Sequence, residues 1–309
     1  MSAPPAEAAP ASAVRTGVLA AVAAYTMWGF FPLYFIALRE VAASELLLER
    51  IVFAVPFGAL IVLWRRQGAE VWRGLTSPRV LGVLTLSALF IAGSWLLYIV
   101  AVQSGRIFEA SLGYYINPLI YVLVGVVVLG ERLRRGQALA VGIAAVGVTI
   151  LTFYGGSFPW ISFVLAISFT VYGYLRKVVT IGAMPGLFIE TLLLLPFALV
   201  WLTVMVRSGE AAIAGADPAL FAALAFAGPA TVLPLLCFAI GARRLTLATL
   251  GFLQFIGPSI QFLVGLWDGE AFTPAHAACF ACIWTAAGVF AWDAWRAAHP
   301  AAPRSAAEA

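Results

Sequence analysis

The chain has 309 residues, of which 63% are hydrophobic and 10% charged. A soluble domain carries about 25% charged residues, so water cannot clothe this one. The net charge of +4 is spread over the ends of apolar stretches rather than gathered in a patch, which excludes a nucleic-acid footprint.

The first sixteen residues, rich in Ala and Pro, read as a disordered tail (1–16) without a strong basic n-region. Long uncharged stretches follow, and about 18 such residues point to a spanning helix. They predict ten spans, at residues 17–38, 45–64, 80–103, 107–129, 137–153, 159–175, 185–206, 218–241, 245–267 and 275–295. The first is too long for a signal-peptide core and is read as a retained helix. The chain ends in a second short tail, 296–309.

Positive charge sets the expected orientation. One side collects Arg15, Arg65, Arg66, Arg73, Arg79, Arg132, Arg134, Arg135, Arg176, Lys177, Arg243, Arg244, Arg296 and Arg304, fourteen of the eighteen Lys and Arg. The other side collects Arg39, Arg106 and Arg207, while Arg50 lies within a span. A missed helix would scramble this alternation, so the bias supports the span count and puts both termini in the cytoplasm.

A shift of 140 residues aligns the two halves of the chain. It places Arg50 on Glu190, Pro56-Phe57 on Pro196-Phe197, and Tyr34 on Tyr174. It also lays Pro118, Ile120 and Leu123-Val124-Gly125 on Pro258, Ile260 and Leu263-Val264-Gly265. Five spans per half is an odd number, so the halves face opposite ways: an all-α protein of two inverted five-helix repeats, 17–156 and 157–295. That architecture places a substrate site near the midplane, between the halves.

Proline within a span frees the carbonyl four residues earlier, here those of Tyr114 for Pro118 and Gln254 for Pro258. Interruptions at matching positions of both halves point to a transporter's site. The fourth and ninth spans are therefore expected to line it, offering Tyr114, Tyr115, Asn117, Gln254 and Gln261. The same residues also suit a kinked packing helix with polar interhelical contacts. Charges inside spans are the second pointer. Arg50 suits an anionic substrate group, or a pair with Glu49 or Glu109; Glu190 suits proton coupling. Either charge also fits a purely assembly-fixing role. Counting residues from the span ends separates them by about 10 Å along the membrane normal. Trp95 and Tyr98 are candidates for an aromatic wall of the site.

His276, Cys279 and Cys282 share one helix face, but a zinc site wants four ligands, or three plus water. They read as packing residues, as does Cys237; no metal and no cofactor is expected.

Several stretches now resemble a known family. Glu109-Ala110-Ser111-Leu112-Gly113-Tyr114-Tyr115-Ile116-Asn117-Pro118, then Leu129-Gly130-Glu131-Arg132-Leu133, is similar to the signature of the RarD group in the EamA family of the drug/metabolite transporter superfamily. So are Trp95-Leu96-Leu97-Tyr98, Glu190-Thr191-Leu192-Leu193-Leu194-Leu195-Pro196 and Leu250-Gly251-Phe252-Leu253-Gln254-Phe255-Ile256-Gly257-Pro258. The resemblance covers roughly residues 17–295. It implies two EamA repeats in the bacterial inner membrane, small-molecule transport, and a name linked to chloramphenicol sensitivity or resistance. The chain departs from the family at two places, with Glu49 where His is common and Ser94 where Asn is common.

The expected function is a transporter of small drugs or metabolites, working by alternating access with proton coupling or exchange, and exporting. No Walker A loop is present for ATP drive, and neither H-E-x-x-H nor G-x-S-x-G is present for an enzyme. The competing reading is a non-transporting sensor or assembly factor. Expected partners are a small-molecule substrate and membrane lipid, with no nucleic acid.

Overall fold

The computed structural model describes residues 11–129, 134–156, 158–242, 244–245, 249–250 and 253–298. Among them, every regular element is helical. The outer parts of both tails, the motif at 130–133, Arg243, and residues 251 and 252 of the stretch at 250–258 lie outside the described residues.

The first apolar stretch forms α1 (Ala11–Gly29) and α2 (Phe31–Ala37), with Pro32 in the first turn of α2. Residues 11–16, expected to belong to the disordered tail, are instead helical. Ala-rich sequence extends a helix at little cost once an apolar segment has nucleated it. Next come α3 (Ala43–Trp64), the short α4 (Gly68–Leu75), α5 (Pro78–Gln103), α6 (Ile107–Leu129) and α7 (Arg135–Tyr154). The rest of the chain forms α8 (Trp160–Val178), α9 (Ala183–Ser208), a 3-10 turn (Ala212–Gly215), α10 (Pro218–Ala225), α11 (Ala227–Ala242), α12 (Ile256–Trp267) and α13 (Pro274–Ala298).

Helix starts follow local chemistry. Ser77 accepts the Val80 N–H with Pro78 in the first turn of α5, and Asp217 accepts the Leu220 N–H at 2.7 Å with Pro218 in the first turn of α10. Gly209, at φ 77°, closes α9 in the left-handed conformation that glycine adopts without strain.

Among the described residues, seven helical segments are long and apolar enough to cross a membrane. Parts of α8 and α12 form shorter apolar helices. In lipid a helix satisfies its own backbone groups, which is why so apolar a chain can be helical nearly throughout. Leu60, Leu63, Trp64, Phe153, Phe197, Trp201 and Trp267 are exposed on the outside, a surface that suits lipid rather than water.

α7 packs on α13, α3 on α9, and α6 on α12. α1 packs against α11 and α12, while α8 packs against α5 and α6. α3 also meets α11, and α9 meets α5. Small residues permit these crossings. A Cβ on Gly228 of α11 would collide with the Phe53 carbonyl of α3, and one on Gly113 of α6 would lie 2.9 Å from the Ser162 carbonyl of α8.

Candidate functional site

Arg50 sits two turns into α3 and is 6% exposed. Its Nε donates to Thr231 Oγ1 of α11 at 2.7 Å, and the Thr231 hydroxyl in turn donates to the Ala227 carbonyl at 2.8 Å. That second bond fixes the threonine rotamer and aims its oxygen at the guanidinium. The Trp95 ring lies 4.0 Å from the guanidinium carbon, and Phe31 lies 5.3 Å away. Tyr34, Tyr98 and Tyr114 complete the surroundings. A small cleft lined by Phe31, Tyr34, Phe35, Arg50, Ala230 and Thr231 opens beside it.

Cation–π contacts contribute up to about 2 kcal/mol each when desolvated. The hydrogen bond to a charged group adds roughly 1.5–3 kcal/mol. Both act against a desolvation penalty of several kcal/mol, and neither supplies negative charge. Among the described residues, no carboxylate forms an ion pair with Arg50. Glu109, one of its expected partners, pairs with Arg106 at 2.6 Å.

Glu190 is handled differently. It lies two turns into α9 and is 1% exposed. Ser87 of α5 donates to its Oε1 at 2.6 Å, and Tyr172 of α8 also bonds it. Arg176 Nη1 lies 3.7 Å from the same Oε1, while Arg176 Nη2 donates to the carbonyls of Gly182 and Ala183. Gly186 makes room for this guanidinium, since a Cβ there would overlap it. Arg50 and Glu190 thus have separate partner sets and do not form a salt bridge with each other.

The remaining candidates divide. Tyr98 and Tyr114 face each other with ring centroids 5.8 Å apart, and Tyr114 also meets Phe169 of α8. Trp95 and Tyr98 therefore both belong to the aromatic surroundings of Arg50. The Tyr98 hydroxyl has no hydrogen-bond partner among the described residues. Asn117 accepts from Thr170 of α8 at 3.1 Å, and Gln261 donates to the Trp28 carbonyl at 3.2 Å; both bonds join helices. Tyr115 stacks on Phe255 with centroids 6.0 Å apart and shares a 2.6 Å hydrogen bond with Ser259. Gln254 lies in the turn that precedes α12 and is half-buried.

The two prolines behave unequally. Helix α6 runs through Pro118 without interruption, so the break expected there is absent. One lost N–H is tolerated in a membrane helix when neighbours re-satisfy the freed carbonyl. Pro258 instead lies in the first turn of α12, where its missing N–H costs nothing, and its carbonyl accepts from Ser111 at 2.8 Å.

His276 bonds the Thr273 hydroxyl, and Cys279 and Cys282 pack against Gly147 of α7. Close helix approach therefore accounts for that trio. A larger cavity of about 230 Å3, lined by Glu70, Arg73, Ser77 and Thr180, lies by the turn between α8 and α9 rather than beside Arg50.

Thr231, Ser87, Arg176, Phe31 and Tyr34 were not among the sequence-based site residues. Ser87 and Thr231 carried a readable signal: each is a hydroxyl inside an apolar span, the third and the eighth.

Known proteins resemble this chain over most of its length. Residues 15–153 match the EamA-like transporter family. An uncharacterized transporter of Pseudomonas aeruginosa is 44% identical over 92% of this chain and 95% of its own. Protein RarD of Escherichia coli is 40% identical over 92% of this chain and 96% of its own. A crystal structure with 20% identity and a TM-score of 0.60, covering 91% of this chain and 97% of that one, shares the fold. The chain belongs to the EamA-like transporter family, with RarD proteins among its relatives.

Proposed function

We propose that this chain is a secondary transporter that exports small amphiphilic or zwitterionic solutes, drugs or metabolites, through a site centred on Arg50. The observation that carries the reading is a buried guanidinium held by aromatic rings and one hydroxyl, with no protein carboxylate paired to it among the described residues. A solute carboxylate or other anionic group supplies the missing charge, while Trp95, Tyr98, Tyr114 and Phe31 pack its apolar body. Transport proceeds by alternating access of two inverted five-helix halves across the bacterial inner membrane, with both termini cytoplasmic and protons or exchange as the drive. Asn117, Gln261 and Tyr115 hold the helices that line the path, and Gln254 borders it.

The packing supports the inverted halves. Under the 140-residue shift, α3–α9, α6–α12 and α7–α13 are each a helix against its own counterpart. The pairs α1–α11 and α1–α12 correspond to α8–α5 and α8–α6. Tyr115 and Phe255, equivalent under the same shift, stack on each other, as residues flanking a twofold axis do.

The test is a thermal-shift screen of the purified protein against amino acids, organic anions and chloramphenicol, since a ligand of the folded state raises its apparent stability. An anionic solute that stabilises the protein, with the effect lost in Arg50→Ala and partly kept in Arg50→Lys, supports the reading. Equal stabilisation of wild type and Arg50→Ala sinks it.

A further inference from the structure

Next to Arg50 in sequence, the α3 helix buries a second charged residue. Glu49 is 0% exposed, and among the described residues neither of its carboxyl oxygens meets a hydrogen-bond donor. One turn earlier, Glu45 is also buried, but it is fully engaged: its oxygens accept the N–H groups of Ala212 at 3.0 Å and Ile213 at 2.9 Å, at the start of the 3-10 turn. Residues four apart on a helix are neighbours, so the two buried carboxyl groups sit side by side one turn apart on α3. Two carboxylates have four acceptor oxygens and no donor, so this contact is attractive only if one of them carries a hydrogen. Both Glu45 oxygens already accept backbone N–H groups, which leaves the hydrogen of the pair to Glu49.

Among the described residues, no neighbouring group relieves Glu49 otherwise. Tyr34 of α2 approaches it, but the Tyr34 hydroxyl donates to the Ala223 carbonyl at 3.0 Å. Residues 211–215, packed against Glu45, contain no titratable side chain. On α5, Tyr98 turns its ring to Phe35 and Tyr114. At the end of α9, Arg207 and Glu210 are exposed, and Asp217 caps α10. Arg50 itself turns to Thr231 of α11.

We propose that Glu49 is a proton-binding site, its carboxyl O–H donating to the Glu45 carboxylate, and that this proton is the one exchanged during transport. The proton arrives from and returns to water when α3 and the 3-10 turn part; the closed arrangement seals it in. Loss of the proton leaves two buried carboxylates one turn apart on α3, and the unsolvated charge favours the parted arrangement in which water reaches both. That coupling makes one helix, α3, carry the solute site and the proton site at adjacent positions. The coupling role rests on the transport reading above, but occupancy by a proton does not.

The experiment is infrared spectroscopy of the full-length protein in lipid at neutral pH, without any solute, in H2O and D2O. A protonated carboxylic acid has a C=O band, sensitive to deuterium, that a carboxylate lacks. The wild-type-minus-Glu49→Gln difference is expected to contain that band, and the wild-type-minus-Glu190→Gln difference to leave it untouched. The Gln amide can donate to Glu45, so this variant should keep the wild-type thermal midpoint. Should it fail to fold, Glu49→Asp keeps a carboxyl and should shift the band rather than abolish it. A difference spectrum without the acid band overturns the proposal. A present band with no solute stabilised in the thermal screen would sink the transport-site reading and leave the proton site standing.

Discussion

Arg50 and Glu190 occupy corresponding places in the two halves of the sequence, yet the protein treats their charges differently. Each lies two turns into a long helix and each bonds a hydroxyl on a helix beyond its own half, Thr231 at 2.7 Å and Ser87 at 2.6 Å. Glu190 then meets Arg176, whose guanidinium is tied to two carbonyls, so its charge is answered inside the protein. Arg50 meets aromatic faces, which attract a cation without cancelling it. A hydroxyl orients a charge, and only an opposite charge neutralises it. The pair thus separates a charge answered inside the protein from one that no described carboxylate answers, the one proposed to meet a ligand.

The sharpest way to break that contrast is to remove each charge in turn. Arg50→Ala is expected to weaken binding of an anionic solute by about 2–5 kcal/mol, on the order of 30-fold or more. Glu190→Gln is expected to lower the thermal midpoint with little change in solute affinity, because Arg176 is then left without its carboxylate. Isothermal titration on both variants decides it, and a larger affinity loss in Glu190→Gln would invert the assignment. The orienting hydroxyls come next. Thr231→Val leaves Arg50 Nε without an acceptor and should cost roughly 1.5–3 kcal/mol of stability. Ser87→Ala should cost about 1 kcal/mol, since Arg176 and Tyr172 remain with Glu190. Equal losses in chemical unfolding would mean that the aromatic cage compensates Arg50 as well as Arg176 compensates Glu190.

Helix positions were largely legible in the sequence because lipid demands long uncharged runs, and these are visible without neighbours. Most described helices fall on the apolar stretches; α4 lies between the second and third, α1 starts earlier than expected, and the first and eighth stretches are each divided into two helices. Arg50, Trp95 and Tyr98 were legible as a charge and aromatics inside spans, and the structure brings them together. Their partners were not, since Thr231 and Phe31 reach Arg50 from distant parts of the chain, and hydroxyls in apolar helices commonly just bond their own i−4 carbonyl. The unequal prolines were also invisible: both sit in similar sequence, and only the local continuation of the helix tells Pro118 from Pro258. The Glu45 and Glu49 contact was hidden for a different reason. Two acids one turn apart read as a repelling pair, unless it is known that a backbone turn claims one of them.

Helix approach gives a smaller, geometric test of the same contrast. Gly228 lies one turn before Thr231 on α11 and faces the Phe53 carbonyl on α3. Gly228→Ala must push α11 off α3, at about 1–3 kcal/mol for overpacking. Because it opens the Arg50–Thr231 contact and leaves Ser87 and Glu190 alone, it should reduce solute affinity as well as the thermal midpoint. A midpoint change alone would mean that the Thr231 bond contributes little to the site.

The last expected effect, seen only as pH changes, concerns the helix ends rather than the two charges. In the loop before α13, Glu270 accepts the Phe108 N–H at 2.9 Å at the start of α6. Burial pushes its carboxyl up to about 7, with the nearby Glu109 and Asp268 charges adding to it and the Phe108 and Ile107 N–H groups opposing. The folded protein therefore holds this proton more tightly than the unfolded chain, whose carboxyl titrates near 4.5. Stability from this group is fully present below that ordinary value and is lost as pH rises through about 7. Glu270→Gln should flatten that part of the pH–stability curve, leaving a higher midpoint than wild type above neutral pH and little difference below pH ~4.5. Unlike Glu190, this carboxylate has no cation paired with it among the described residues, since the neighbouring Arg39 is bound to Asp268 at 2.9 Å. An unchanged slope in the variant would mean that the amide donors of α6 outweigh burial, and that Glu270 belongs with Glu190 among the answered charges.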